Sequence, residues 1–301
     1  MHRATCILCG TDTHERELYP SNVSETDLNT KVFSARRAPD RLHGRVVACR
    51  QCGLVYTNPQ LDTERLASLY HESRYTYTEE ERFIRRTYQY YLHRLLPLLT
   101  AQKRPLSFLD IGCGNGFMLA AAEELGFEDV FGVEPSAHAG TEAVNSDVQG
   151  RILRGMFSLD LLDGRRFDAI TCFQTLDHIP DPLAFVQECF AALKPGGRVL
   201  FINHNINSLT ARLLGERCPM IDIEHTYLHT PSTMQLLFER CGFTDISVFP
   251  VRNDYPLHYW IHLMPGSKKF KQSLIKGLHA MRLGKIVLPL YAGNLGLIAH
   301  K

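Results

Sequence analysis

Phe108-Leu-Asp-Ile-Gly-Cys-Gly-Asn-Gly116 reads as a strand, a glycine turn and the start of a helix. Gly112, Gly114 and Gly116 let the backbone reverse sharply and lie close to a ligand, because no Cβ intervenes. The spacing differs from the dinucleotide fingerprint, which wants a third glycine where this chain has Phe117. Asp110 discriminates further. A carboxylate two residues before the first glycine repels a pyrophosphate and favours an ammonium or a sulfonium. The turn therefore predicts a cationic ligand without phosphate. A glycine turn that binds nothing is the plain alternative.

Outward from this turn, Val130-Phe-Gly-Val-Glu134-Pro135 predicts the next strand. Its terminal acid, about twenty residues past the turn, is placed to accept ribose hydroxyls. Further strands are predicted at Ala169–Phe173, Arg198–Asn203, Asp245–Pro250 and Asn294–His300, with helices at about 116–125, 137–147, 182–193 and 231–241. Such alternation points to a mostly parallel sheet covered on both faces. Lys194-Pro-Gly-Gly197 and Cys241-Gly-Phe243 punctuate helix ends. Upstream, amphipathic patterns predict a helix capped near Thr63 and a longer one over about 79–100.

Gln174-Thr-Leu-Asp-His178-Ile-Pro-Asp-Pro182 follows the strand predicted at Ala169–Phe173. In open α/β sheets the carboxyl ends of strands face the ligand crevice. His178 thus lies near the reacting centre, as a base for a substrate hydroxyl or as a packing residue. Asp222-Ile-Glu-His225-Thr-Tyr-Leu-His229 supplies a second candidate base, His225, with Asp222 or Glu224 to orient it. A role in capping or packing is the alternative for each histidine. His204 and Asn205 are expected to touch the acceptor.

Taken together, L-D-I-G-C-G-N-G, G-V-E-P-S, F-D-A-I, L-D-H-I-P-D-P and L-K-P-G-G resemble the class I S-adenosylmethionine (SAM)-dependent methyltransferase family over about 75–250. The resemblance implies an α/β, Rossmann-like, seven-stranded sheet whose last strand is antiparallel. It implies that Asp110, Gly112, Cys113 and Gly114 line the methionine end of SAM, with Glu134 and Pro135 at the ribose and Gln174 nearby. Relatives usually carry an acid beside the adenine amino group. Here the matching stretch is Arg154-Gly-Met-Phe-Ser158, so Met156 and Phe157 are expected to pack on the adenine instead.

Nine cysteines include two knuckles, Cys6-Ile-Leu-Cys9-Gly10 and Cys49-Arg-Gln-Cys52-Gly53. Two residues between thiols let both sulfurs reach one ion, and four thiolates close a tetrahedral structural zinc site. A redox pair is the alternative, and the duplication argues against it. The layout also resembles bacterial methyltransferases with an N-terminal zinc-ribbon-like domain, through C-x-x-C-G, C-x-x-C-G-L-V-Y-x-N-P and the final G-N-L-G-L-I-A-H-K. That subgroup implies sugar, surface-glycan or natural-product acceptors. The expected organisation is a small N-terminal zinc-binding domain at 1–60, a helical linker or lid at 61–104, and a catalytic domain at 105–301 with an insertion at about 256–290.

No apolar run reaches membrane-spanning length, and Met1–Gly10 lacks a signal-peptide core, so a cytoplasmic protein is expected. Net charge is +1, which gives nucleic acid no global attraction. Methylation of a small-molecule or carbohydrate acceptor, by O-transfer rather than to carbon or nitrogen, is the leading expectation. An RNA methyltransferase is the rival, kept open by Arg36, Arg37, Arg41, Arg45 and Arg50; a non-catalytic SAM-binding module is the third reading. Within the insertion, Lys268, Lys269, Lys271, Lys276, Arg282 and Lys285 alternate with Phe270, Leu274, Ile275, Leu278 and Met281. This basic amphipathic segment, 268–285, suits a membrane surface, a phosphate-bearing substrate, an oligomer partner, or simply a solvated helix face. Tyr255, Tyr259 and Trp260 are expected to line the acceptor pocket.

Overall fold

The computed structural model describes residues 1–11, 15–24, 27–28, 33, 41–73, 81–99, 105–138, 146–264 and 266–301. Most of the helix expected at 137–147 lies outside them, as do Arg36, Arg37 and the side chain of Lys268.

The larger sheet uses β4 (Ser107–Ile111), β5 (Asp129–Glu134), β6 (Ile152–Arg154), β7 (Phe167–Phe173), β8 (Leu193–His204), β10 (Thr244–Pro256) and β11 (Val287–His300). Their spatial order is β10-β11-β8-β7-β4-β5-β6. Only β11 runs against its neighbours. β4 and β7 are buried along their whole length, as strands covered on both faces must be. One face packs on α5 (Pro182–Ala192) and α7 (Pro231–Arg240); the other packs on α2 (Glu81–Leu95), α3 (Phe117–Glu124) and α8 (Leu257–Leu263).

Local chemistry fixes the helix ends. Asp181 accepts from the Ala184 amide at 3.0 Å and Pro182 opens α5. Thr230 and Thr233 form a reciprocal capping box on α7. α2 buries Ile84, Tyr88, Tyr91, Leu92 and Leu95 along one stripe. Burial of each is worth roughly 1.5–3 kcal/mol, which holds a helix too short to persist alone in water.

A second sheet joins β1 (Glu15–Tyr19), β2 (Val46–Cys49) and β3 (Val55–Thr57) to β9 (Tyr227–Leu228). β9 comes from the segment between β8 and α7, so the cysteine-bearing strands are hydrogen-bonded to the segment that carries His225. Val55 pairs with Leu228 and Tyr56 with Tyr227. The core is likewise continuous: Cys6, Leu8 and Tyr56 share one apolar cluster with Phe201 and Phe238. Among the described residues no helix is long and apolar enough to cross a membrane.

Candidate active site

The order of strands reverses between β4 and β7, since β5 and β6 lie on one side and β8 on the other. Ligand crevices open at such points, outside the carboxyl ends of the strands. A cavity of about 600 Å³ lies there. α1 (Thr63–His71) and α2 close it from above through Tyr70, Ser73, Ile84 and Tyr88. α1 is pinned by a bond from the Ser136 hydroxyl to the Ser73 carbonyl, 2.7 Å.

At one end of the cavity, Gly112, Gly114 and Gly116 have φ of 76°, 54° and 81°, the left-handed region that glycine enters without strain. A Cβ on Gly112 would collide with the Thr175 side chain. Glu134 receives the Gly114 amide on one carboxylate oxygen and the Ser136 amide on the other, each at 2.9 Å. Each oxygen has a further lone pair beyond its amide bond, and Glu134 lines the cavity. Burial pushes the Glu134 carboxyl above its ordinary range. Burial also raises Asp110 to about 7; the Thr171 hydroxyl, 2.7 Å away, opposes this and the Glu134 charge adds to it. Two acids are thus held where a cation would relieve both. Gln174 has φ of 54°, and its side-chain Oε1 is buried with no partner among the described residues.

The other end gathers three histidines. The His178 and His225 rings are 4.8 Å apart, and the His225 and His204 rings 4.6 Å apart. His178 Nδ1 meets the Tyr70 hydroxyl at 2.8 Å, and backbone carbonyls of Glu224 and Gln174 face its ring. Burial lowers it to about 4. His225 donates Nδ1–H to the Met220 carbonyl at 2.8 Å, and burial holds it well below the usual histidine range. His204 differs: its Nδ1–H donates to Asp177 Oδ2 at 2.8 Å. Burial alone would raise Asp177, but the His204 hydrogen bond and charge win and hold it at about 2. A fixed carboxylate behind Nδ1 leaves Nε2 as the free lone pair, the tautomer a proton acceptor needs.

The family described as a methyltransferase domain matches residues 81–248. This chain belongs to it. Among relatives of the methyltransferase, the ubiquinone biosynthesis O-methyltransferase of Coxiella burnetii is 29% identical over 169 residues, which make up 50% of this chain and 70% of that one. Its namesake from Vibrio parahaemolyticus is 27% identical over 165 residues, with the same shares. Similar solved structures include a SAM-dependent methyltransferase from Archaeoglobus fulgidus, at TM-score 0.44 and 19% identity, covering 74% of this chain and 97% of that one. Family and sheet order together make the enzyme a class I SAM-dependent methyltransferase.

The cavity suits that donor. SAM carries two cations and no phosphate, and no lysine or arginine is among the described residues lining the methyltransferase's cavity. The orphaned Gln174 oxygen and the Cβ-free cradle at Gly112 leave room and a polar contact for it. Asp110, Gly112, Cys113, Gly114, Glu134, Pro135, Met156 and Gln174 all line the cavity, as do His178 and His225. Phe157 does not. It packs edge-on against Phe185, ring centres 5.4 Å apart, on the α5 side of the sheet. β6 ends at Arg154 and the chain bends through Gly155 and Met156, which leaves Met156 on the cavity and Phe157 on the α5 side. Sequence reasoning placed His204 as an acceptor contact and missed its partner. The available signal was positional: Asp177 and His204 follow adjacent parallel strands, paired through Phe173 and Ile202, so their ends converge.

The methyltransferase's other cluster is Cys6, Cys9, Cys49 and Cys52, whose sulfurs all lie within 4.8 Å of one another. Cys6 and Cys52 sulfurs are 3.6 Å apart. A tetrahedral ion with bonds of about 2.3 Å would set them about 3.8 Å apart. Gly10 and Gly53, with φ of 69° and 78°, turn each knuckle back so that their amides meet the Cys6 and Cys49 carbonyls. The donor set fits a soft divalent cation.

Proposed function

We propose that this methyltransferase methylates a hydroxyl on a small, uncharged, largely apolar molecule, with His204 accepting the hydroxyl proton. Bound SAM supplies an electrophilic methyl group on a sulfonium. Glu134 holds the ribose hydroxyls, Asp110 sits by the cationic end, and Met156 packs on the adenine. The cavity aligns the acceptor oxygen with the methyl, which alone accounts for much of the rate in an in-line displacement. His204 removes the proton, and Asp177 stabilises the imidazolium that results. His178 and His225 flank the acceptor rather than take its proton, since the ring of His178 is engaged by Tyr70 and that of His225 by the Met220 carbonyl, whereas His204 is backed by Asp177.

The observation that carries this reading is the Asp177–His204 pair at the cavity wall. O-transfer is also what the named relatives do. Tyr255, Tyr259, Trp260 and Leu263 supply an apolar acceptor wall, with the Asn253–Asn294 amide pair as a polar contact. A sugar nucleotide would bring a diphosphate to a wall whose described residues include no lysine or arginine, which disfavours that acceptor class. An RNA substrate is disfavoured too: Arg45, one of the arginines suggesting it, is spent on Glu15 and Glu17. The four thiolates hold one structural zinc ion, in keeping with the zinc-ribbon subgroup, and the closed ligand set leaves no position for catalysis.

Labelled SAM offered with catechols, other phenols and sugar nucleotides tests the acceptor class. Methylation of phenolic hydroxyls is expected. In His204→Gln, kcat should fall about 10²- to 10⁴-fold, the usual worth of a general base, with SAM affinity unchanged. Methylation confined to sugar nucleotides, or a wild-type kcat in His204→Gln, would sink the proposal.

A further inference from the structure

From Tyr255 to Lys301 the chain has seven Lys/Arg and no Asp/Glu. α9 (Lys268–Ala280) occupies this stretch. At 100° per residue, Phe270, Leu274 and Met281 fall on one narrow stripe. That stripe faces away from the protein: Phe270 is 63% and Met281 67% exposed. Ile275 and Leu278 are the half-buried positions. Lys269 and Lys276 lie in solvent about 120–140° round the helix from the stripe, within reach of its edge through their long side chains, with Arg282 and Lys285 just beyond the helix end, and among the described residues none of the four pairs with a carboxylate.

The helix that carries the stripe packs beside the cavity wall. α9 is fixed to α8 by a bond from Lys271 Nζ to the His262 carbonyl, 2.8 Å, and by the His258 and His279 rings. α8 lines the cavity, and Met264 at its end is both 53% exposed and part of the cavity wall. Leu213, on α6 (Leu209–Leu214), is likewise a wall residue and 74% exposed. Folded chains avoid assembling so many exposed apolar side chains around an opening unless something covers them.

We propose that this face docks the methyltransferase onto an anionic lipid bilayer, with the acceptor cavity opening against the membrane. Three occupants compete, and charge separates them. A second copy related by a twofold axis would set this acid-free basic face against itself. A polyanion such as RNA would use the lysines but has no use for Phe270, Leu274 and Met281 at the centre of the patch. A bilayer with anionic headgroups uses both: lysines at the phosphates and the stripe at the acyl boundary. The proposal rests on the apolar-acceptor reading in one respect only, that such a molecule partitions into lipid and reaches the cavity from there.

Flotation of the full chain with phosphatidylcholine vesicles, with and without phosphatidylglycerol, tests it. Binding is expected only with phosphatidylglycerol and should weaken as salt rises. Lys269→Glu/Lys276→Glu/Lys285→Glu should reduce partitioning at least about a hundredfold, given what each basic residue contributes near an anionic surface. Phe270→Ser/Met281→Ser should reduce it about tenfold or more, while SAM affinity and methylation of a soluble phenol stay at wild-type levels. No vesicle binding at low salt overturns the proposal. So does a dimer in analytical ultracentrifugation that Phe270→Ser/Met281→Ser dissociates without vesicle binding, or RNA binding that only the lysine variant weakens. Methylation of soluble phenols is read separately, so loss of docking and failure of the apolar-acceptor reading give different results.

Discussion

The two ends of the cavity are built in different ways. The donor end is made by backbone: three left-handed glycines after β4 and two amides that hold Glu134, within Asp110–Ser136. The acceptor end is made by side chains from distant segments. Tyr70 comes from α1, His204 from the end of β8 with Asp177 buried behind it from the turn after β7, His225 from the segment before β9, and Trp260 from α8. A site of the first kind survives as long as one strand–turn–helix unit is intact. A site of the second kind depends on the packing of the whole molecule.

The sharpest way to break that contrast is through the cysteines. A structural zinc ion at the four thiolates, as proposed, would contribute on the order of 10 kcal/mol to folding, so losing it has the largest expected effect. β3 pairs with β9. Unfolding of β1–β3 should therefore free the 225–229 segment and spoil the acceptor end, while leaving Gly112–Gly116 and Glu134 in place. Cys6→Ser/Cys52→Ser, or chelation of the zinc that metal analysis should find at one ion per chain, should abolish methyl transfer. Hydrogen exchange should rise in 46–57 and 225–229, and calorimetry should still detect SAM binding. Chelated protein that loses its metal and methylates at the normal rate would refute the coupling.

The converse perturbation is smaller. Glu134→Ala should weaken SAM by about 1–3 kcal/mol, the range for lost charge-assisted hydrogen bonds. The KM of the acceptor should not move. Equal loss at both ends would show that the halves are not separable in the way their construction suggests.

Legibility in the sequence follows the same division. The glycine turn, Glu134 and the order of the parallel strands rest on contacts local in the chain or on burial periodicity, so the motifs place them. A strand was expected leading from Phe108 into the glycine turn, and β4 is found there at Ser107–Ile111. β6 was not foreseen, because three residues carry no period. β9 was not foreseen either: two residues acquire strand character only by pairing with β3. The Asp177–His204 bond joins residues 27 apart, and nothing in the spacing signals it until the register of β7 and β8 is known. Phe157 failed for a different reason. Its aromatic ring suited an adenine wall, but the bend after β6 puts Met156 on the cavity and leaves Phe157 against Phe185, a turn that nothing in the residue types signals.

The finest test uses protons. Asp110, raised to about 7 chiefly by burial, is largely protonated in the free protein just below neutrality. A carboxyl raised in the folded state contributes stability that is fully present below its ordinary value of 3.8 and is lost as pH rises through about 7. The acceptor end has the opposite sign. His178 and His229 are lowered to about 4 by burial, and Asp177 is held at about 2 by His204 against burial. These groups remove stability as pH falls, from the ordinary histidine value of 6.5 down through 4, and then from 3.8 through 2. Thermal melts of the free protein mix the two ends, whereas SAM binding isolates one. A sulfonium and an ammonium beside Asp110 favour its carboxylate, so binding should expel less than one proton per SAM near neutral pH. Affinity should rise by at most about tenfold per pH unit between about pH 6 and 7. Calorimetry in buffers of different ionisation heat counts those protons, and Asp110→Asn should abolish the count. A wild-type affinity flat across that range would mean that the acid before the glycine turn does not face the cation at all, and the donor end would have to be read again from Glu134 outward.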